Sequence, residues 1–199
     1  MLSGFLVSGL LFGEYRRRGS LRVGRFLLRR GLKIYPAFYV FLGLAAAATI
    51  AVHKPRPAVA WLCEALFIQN YGPNIWGHTW SLAVEEHFYL MLAALIWFMA
   101  KKGGPDPFRR LPWIFLGVTL VVTALRIATY LSNPVMDYRV HYFPTHLRID
   151  ALFFGVLLSY LSHFQPERLA FVQRRAAIVV PLSMLLVLPI YLVDQLDPR

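Results

Sequence analysis

Residues Trp80–Ala100 read WSLAVEEHFYLMLAALIWFMA, an apolar run with two adjacent acids near its start. A bilayer's hydrocarbon core is about 30 Å thick and needs roughly 20 apolar residues when crossed as helix. The run therefore predicts a membrane-spanning helix. A charge at the bilayer centre costs about 2.5–3.5 kcal/mol on insertion scales, so groups placed there are usually paired or functional. Just before the run stands Gly77-His-Thr79. On a continuous helix His78, Ser81, Glu85 and Tyr89 follow at steps of three, four and four and share one polar stripe. Glu86 lies beside that stripe and His87 further round.

Working outward, four more stretches approach spanning length: Pro36–Val52, Leu111–Leu131, Leu147–Leu161 and Ala176–Val193. Met1–Gly13 is shorter and reads as a partial span. Composition agrees, with 58% hydrophobic residues, only 16% charged and a mean hydropathy of +0.53 over 199 residues. A soluble domain would be about a quarter charged. The expected fold class is all-α, a polytopic transmembrane helix bundle of five to six spans within residues 1–199, with no second domain. The Leu2–Phe12 run has no basic residues before it and no small-residue cleavage site after it, so it is not a secretory signal.

The net charge of +11 comes from 21 Lys and Arg against 10 Asp and Glu. Nucleic acid is not the inferred partner, because the basic residues sit between apolar blocks, as in the cytoplasmic loops of membrane proteins. They concentrate in Tyr15–Tyr35, Lys101–Arg110 and Gln165–Arg175. These three fall on one side, the cytosol, if Trp61–Tyr71 is an interfacial or re-entrant helix. The basic-poor His53–Thr79 and Ser132–His146 then fall outside. A spanning Trp61–Tyr71 would invert everything downstream. The expected location is the inner or plasma membrane, crossed several times, with the lipid bilayer as the first partner.

Within the basic segment 15–35, Arg22, Arg25, Arg29 and Lys33 line one helical face. They suit anionic lipid, or a phosphorylated cofactor gripped by guanidinium groups. Arg29 and Arg30 lie nearest the membrane and are the candidates for the second role. Arg148 and Asp150 begin another span two residues apart, so each needs a partner on another helix. Gly155 allows close helix packing. Arg126 and Arg148 are available to pair with Glu85 or Glu86. His146 reads as a solvated loop residue and the lone Cys63 as a small buried apolar side chain. No zinc site is expected, since His78 and His87 are nine apart and face opposite ways.

Four blocks occur in order: Leu2-Ser-Gly-Phe-Leu6; Phe26-Leu-Leu-Arg-Arg30 with Tyr35-Pro36; Trp80-Ser-Leu-Ala-Val-Glu-Glu-His-Phe-Tyr89; and Arg148-Ile-Asp-Ala-Leu152 with Gly155. Together they resemble the integral membrane acyltransferase family three, O-acetyltransferases that modify polysaccharides, peptidoglycan, lipids and antibiotics. The resemblance implies an acyl-CoA donor, acetyl-CoA above all, on the cytosolic side. It implies a carbohydrate, lipid or cell-envelope acceptor whose hydroxyl is reached from outside. It puts Arg29 and Arg30 near the donor and Glu85, Arg148 and Asp150 near the reaction centre. With His78 on the stripe of Glu85, the catalytic candidates are Glu85, His78, Arg148 and Asp150.

Family members usually carry an arginine and a histidine, the expected base, on a helix before the Ser-Gly-Phe segment. That segment begins here at Ser3, and members have about ten spans. The expectation is thus a partial acyltransferase domain lacking its N-terminal helix. Two other classes remain open. A transporter or channel subunit would use Glu85, Glu86, Arg126 and Asp150 as an ion path. A catalytically inactive fragment would fold without turnover. Oligomeric state has no signature in the sequence.

Overall fold

The computed structural model describes residues 1–53, 56–104, 106–178 and 180–185. Among these residues regular structure is entirely helical: α1 Leu2–Arg18, α2 Val23–Ala51, α3 Ala58–Ala65, α4 Trp80–Lys101, α5 Leu111–Ser132, α6 Tyr138–His141, a 3-10 turn Thr145–Leu147, α7 Ile149–Phe164 and α8 Pro166–Arg174. The chain divides into two compact units, Met1–Tyr160 and Leu161–Arg199. The candidate site lies in the first. In the second, α8 opens with Pro166 and Glu167, residues suited to the free N–H groups and positive pole of a helix start.

Among the described residues three helices are long and apolar enough to cross a membrane: α2, α4 and α5. They differ in what the chain itself covers. Half of the apolar window of α4 is buried, against 11% for α2 and 6% for α5. Thus α4 is the hub, with Phe88, Leu92, Ala93 and Ile96 fully buried. It packs against α1 on one side and α2 on another. The α2 side holds Phe38, Leu42, Phe67 and Ala83 with Tyr35, Trp61 and Trp76 around them.

Two boundaries differ from the sequence reading. The basic segment 15–35 and the span 36–52 are not separate: α2 runs unbroken from Val23 to Ala51 through Pro36. A proline removes one backbone donor and crowds the preceding turn, which is why Pro36 reads as a helix start. The apolar length on both sides outweighs that local cost. Likewise α7 begins at Ile149, because Pro144 leads into a 3-10 turn over Thr145–Leu147. Of the expected span 176–193, positions 179 and 186–193 lie outside the described residues.

Helix α1 continues past Gly13 to Arg18, where Gly19 takes the left-handed conformation (φ 65°) and its N–H bonds to the Tyr15 carbonyl at 2.8 Å. Arg16, Arg17 and Arg18 fill that last turn, complementing the negative pole of the helix. Helix α3 has eight residues, about 12 Å of helix, well short of a bilayer core. The segment after it is held by buried Glu64, whose Oε1 accepts from the Ile75 N–H at 3.1 Å and the Thr79 hydroxyl at 2.9 Å. Cys63 is free and buried beside it.

Glycine makes the closest helix contact. A Cβ on Gly155 of α7 would fall on the Met1 carbonyl, and one on Gly4 of α1 would fall on the Leu152 carbonyl. The two backbones therefore touch, which fixes Ser3 against α4.

Candidate functional site

The site starts from the i, i+4 spacing of Glu85 and Tyr89 on α4, which stacks them on one face. The Tyr89 hydroxyl donates to Glu85 Oε2 at 2.7 Å. Since that proton is committed, the Ser3 hydroxyl of α1, also bonded to Tyr89, donates to the phenol oxygen. From α2, Arg30 lays its guanidinium over the Tyr89 ring, 3.4 Å from the centroid, and reaches Glu85 Oε2 at 3.9 Å. Three helices thus meet at the Glu85–Tyr89 pair. Among the described residues Glu85 Oε1 has no partner, and the side chain stays 38% exposed. It can accept a hydrogen bond from a guest.

The neighbouring acid is built differently. Glu86 is 6% exposed, and its Oε2 accepts from the Tyr35 hydroxyl of α2 at 3.0 Å. Among the described residues its buried Oε1 has no partner, and neither has the buried Arg30 Nε. One is an acceptor and the other a donor, so a bound polar group could satisfy either. Unsatisfied buried groups cost about 1–3 kcal/mol each.

Arg30 has a second face. A cavity of about 450 Å³ opens between the last turns of α1 and the first turns of α2. Its charged lining is Arg17, Arg18, Arg25, Arg29, Arg30 and Lys33, against one acid, Glu14. Glu14 is engaged with Arg18 at 3.8 Å. Six cations around one concavity suit a multiply charged phosphate ligand, and guanidinium forks pair with phosphate bidentately. Leu10, Leu11 and Phe26 supply apolar wall. Arg30 therefore lines the cationic cavity and touches the Glu85–Tyr89 pair.

The acyltransferase 3 family, described as an acyltransferase domain, matches residues 1–195. The chain belongs to this acyltransferase family. It is similar to a provisionally named O-acetyltransferase, SACOL0978 of Staphylococcus aureus (strain COL), 28% identical over 181 residues. It is also similar to the O-acetyltransferase OatA of S. aureus (strain NCTC 8325 / PS 47), 26% identical over 178 residues. Both alignments take in 81% of this chain, but it spans only 29% of the first relative and 28% of the second. No solved structure gives a significant match.

Of the residues the acyltransferase 3 resemblance singles out, the structure brings Glu85, Arg29 and Arg30 to one locality. The partner of Glu85 is Arg30, not Arg126 or Arg148. Asp150 pairs instead with Arg126 of α5 at 2.8 Å, and Arg126 also donates twice to the Leu147 carbonyl, at 2.7 and 2.9 Å. Arg148 stacks on the Tyr142 ring at 3.7 Å and lies 5.6 Å from that of Trp80, so its partners are aromatic. These contacts lock the start of α7 to α5 and α4. His78 does not join the stripe: it is exposed in the turn before α4 begins. A helix that starts at Trp80 cannot place it in register with Glu85.

The sequence reading missed the roles of Ser3, Tyr35 and His87. His87 Nδ1 lies 2.8 Å from the Thr145 hydroxyl, which also receives Asn70 Nδ2 at 2.7 Å. His146 is exposed but stacks on Tyr71, with centroids 5.7 Å apart. Tyr89 was within reach of sequence reasoning through its spacing from Glu85. Ser3 and Tyr35 were not, since nothing local ties either to α4.

Proposed function

We propose that this chain takes part in O-acyl transfer, carrying an acyl group, acetyl above all, from acyl-CoA to a hydroxyl of a carbohydrate, lipid or cell-envelope acceptor. The observation that carries the reading is that Arg30 joins the cationic cavity to Glu85. The cavity holds the phosphates of CoA, with Arg29 and Arg30 as contacts, and its far wall delivers the thioester to Glu85. The basic ends of α1 and α2 then face the cytosol of a cell whose inner or plasma membrane the chain crosses several times.

In the reaction the acceptor hydroxyl donates to Glu85, the carboxylate in reach to draw off its proton. The hydroxyl oxygen bonds to the thioester carbonyl carbon. Negative charge builds on the carbonyl oxygen, where the Arg30 guanidinium stabilises it. The carbon–sulfur bond then breaks, and the thiolate leaves as CoA and takes up the released proton. Tyr89 and Ser3 orient Glu85. Arg126–Asp150 and Arg148 hold α7 and α5 in place around the path.

Membranes carrying the chain, incubated with radiolabelled acetyl-CoA, test the reading. Glu85→Gln removes the proton acceptor and should lower transfer by about 10²–10⁴-fold without changing membrane insertion. Full transfer by that variant would refute a direct role for Glu85.

A further inference from the structure

A second concavity, of about 630 Å³, lies at the far end of α4, away from Glu85 and unused by the proposed reaction. Lys102, Arg109 and Arg110 stand around it, all three exposed and, among the described residues, without an ion-pair partner. Leu95, Phe98 and Met99 of α4 and Ile114 of α5 form its apolar wall. The single acid in the lining, Asp106, is committed elsewhere. Its Oδ2 accepts from the Tyr160 hydroxyl at 2.6 Å and its Oδ1 from the Phe108 N–H at 3.0 Å. Phe108 is fully buried between Phe12 and Tyr15, with ring centroids 5.1 Å from each. Residues 106–108 are therefore anchored, and Arg109 and Arg110 follow them from a fixed frame.

Depth in the membrane narrows the ligand. Trp97 stands on the same turn of α4 as Phe98 and Met99, at the same depth, with Lys101 Nζ 3.6 Å over its ring, and Trp113 on the first turn of α5 is 74% exposed. Tryptophans concentrate at the headgroup level of a bilayer. Phe98, part of the apolar wall, is 61% exposed, so that wall opens toward lipid. A cationic rim at headgroup level above an apolar, lipid-facing wall fits an amphiphile with an anionic head. Basic pockets between membrane helices bind such headgroups.

We propose that this concavity is a binding site for one anionic glycerophospholipid. Its phosphate sits among Lys102, Arg109 and Arg110, and an acyl chain lies along Phe98, Met99 and Ile114. The site is independent of the acyl-transfer reading, and its test measures no transfer. The purified chain in a neutral detergent is titrated with fluorescently labelled phosphatidylglycerol and, separately, phosphatidylcholine. Phosphatidylglycerol should saturate at one per chain and bind at least about tenfold more tightly than phosphatidylcholine. Replacing all three cations with Ala should weaken it by about a hundredfold, from three surface cations acting together. Ile114→Trp keeps the cations and fills the apolar wall, so it should also weaken binding, with circular dichroism confirming intact helix in both variants. Inorganic phosphate should displace the lipid no better than chloride at equal ionic strength. Equal binding of the two lipids, or unchanged binding by the triple variant, overturns the proposal. So does displacement of the lipid by acetyl-CoA, which would assign the concavity to the donor, or by inorganic phosphate, which would make it a simple anion site. Loss of lipid on dimerisation would assign it to a second copy of the chain.

Discussion

Replacing Gly155 by Ala tests whether the contact of α1 with α7 positions the site. A Cβ there would fall on the Met1 carbonyl, 2.7 Å from the Phe5 nitrogen and 3.2 Å from the Gly4 carbonyl carbon. All three neighbours are backbone, so no side-chain rotation relieves the clash. Overpacking of this kind costs about 1–3 kcal/mol. Gly→Ala within a helix also gains about 0.5–1 kcal/mol of backbone entropy, which would blur the effect. Gly117 of α5 removes that ambiguity, because a Cβ there meets nothing within 4 Å. The difference between Gly155→Ala and Gly117→Ala isolates the packing cost. At about 2–4 °C per kcal/mol for a chain of this size, Gly155→Ala should melt about 2–12 °C below Gly117→Ala. Scanning fluorimetry in one detergent measures the gap. Because α1 carries Ser3, the displaced helix should also loosen the Ser3–Tyr89 bond and lower acyl transfer. Equal melting temperatures for the two variants would refute the backbone contact and the placement of Ser3 that depends on it.

Replacing Arg29 and Arg30 together with Ala should weaken acetyl-CoA binding by about thirtyfold at low salt, from roughly 1 kcal/mol per cation, and flatten its salt dependence. Equilibrium binding at two ionic strengths checks this. Arg126→Met strands the Leu147 carbonyl and Asp150, and should cost about 1–3 kcal/mol in thermal unfolding. Arg126→Lys should recover only part of it, since an ammonium cannot fork between two acceptors as the guanidinium does. Glu64→Gln keeps an oxygen for the Ile75 N–H and the Thr79 hydroxyl and should leave the 66–79 segment as protease-resistant as in the parent. Glu64→Leu strands the Ile75 N–H and leaves the Thr79 hydroxyl only the Trp76 carbonyl at 3.0 Å, and should make the segment cleavable.

Helices α4 and α5 were legible because their apolar runs have spanning length and end at Lys101 and at Asn133-Pro134. The continuity of α2 was not, because Pro36 carries a local stop signal that only the length of the whole helix overrides. Within the site, Glu85 stood out as an acid in an apolar run, and its bond to Tyr89 follows from helical spacing. Its ion-pair partner did not. Arg30, Arg126 and Arg148 are equivalent to a reader of composition, and packing of α2 against α4 selects the first. The Tyr35–Glu86 and Ser3–Tyr89 bonds join residues 51 and 86 positions apart, where no local pattern exists. The opposite error befell His78, whose spacing implied a shared face but whose backbone lies before the helix starts.

The unequal covering of α4 and α5 bears on how the protein is made. If the chain crosses the membrane as proposed, α5, with only 6% of its apolar window buried among the described residues, has little to lose by leaving the translocon unaccompanied. Helix α4 carries Glu85 and Glu86, each a penalty of a few kcal/mol against lipid until Arg30 and Tyr35 arrive beside it. Biogenesis should therefore release α5 on its own merits, while α4 enters in the company of α2, synthesised before it.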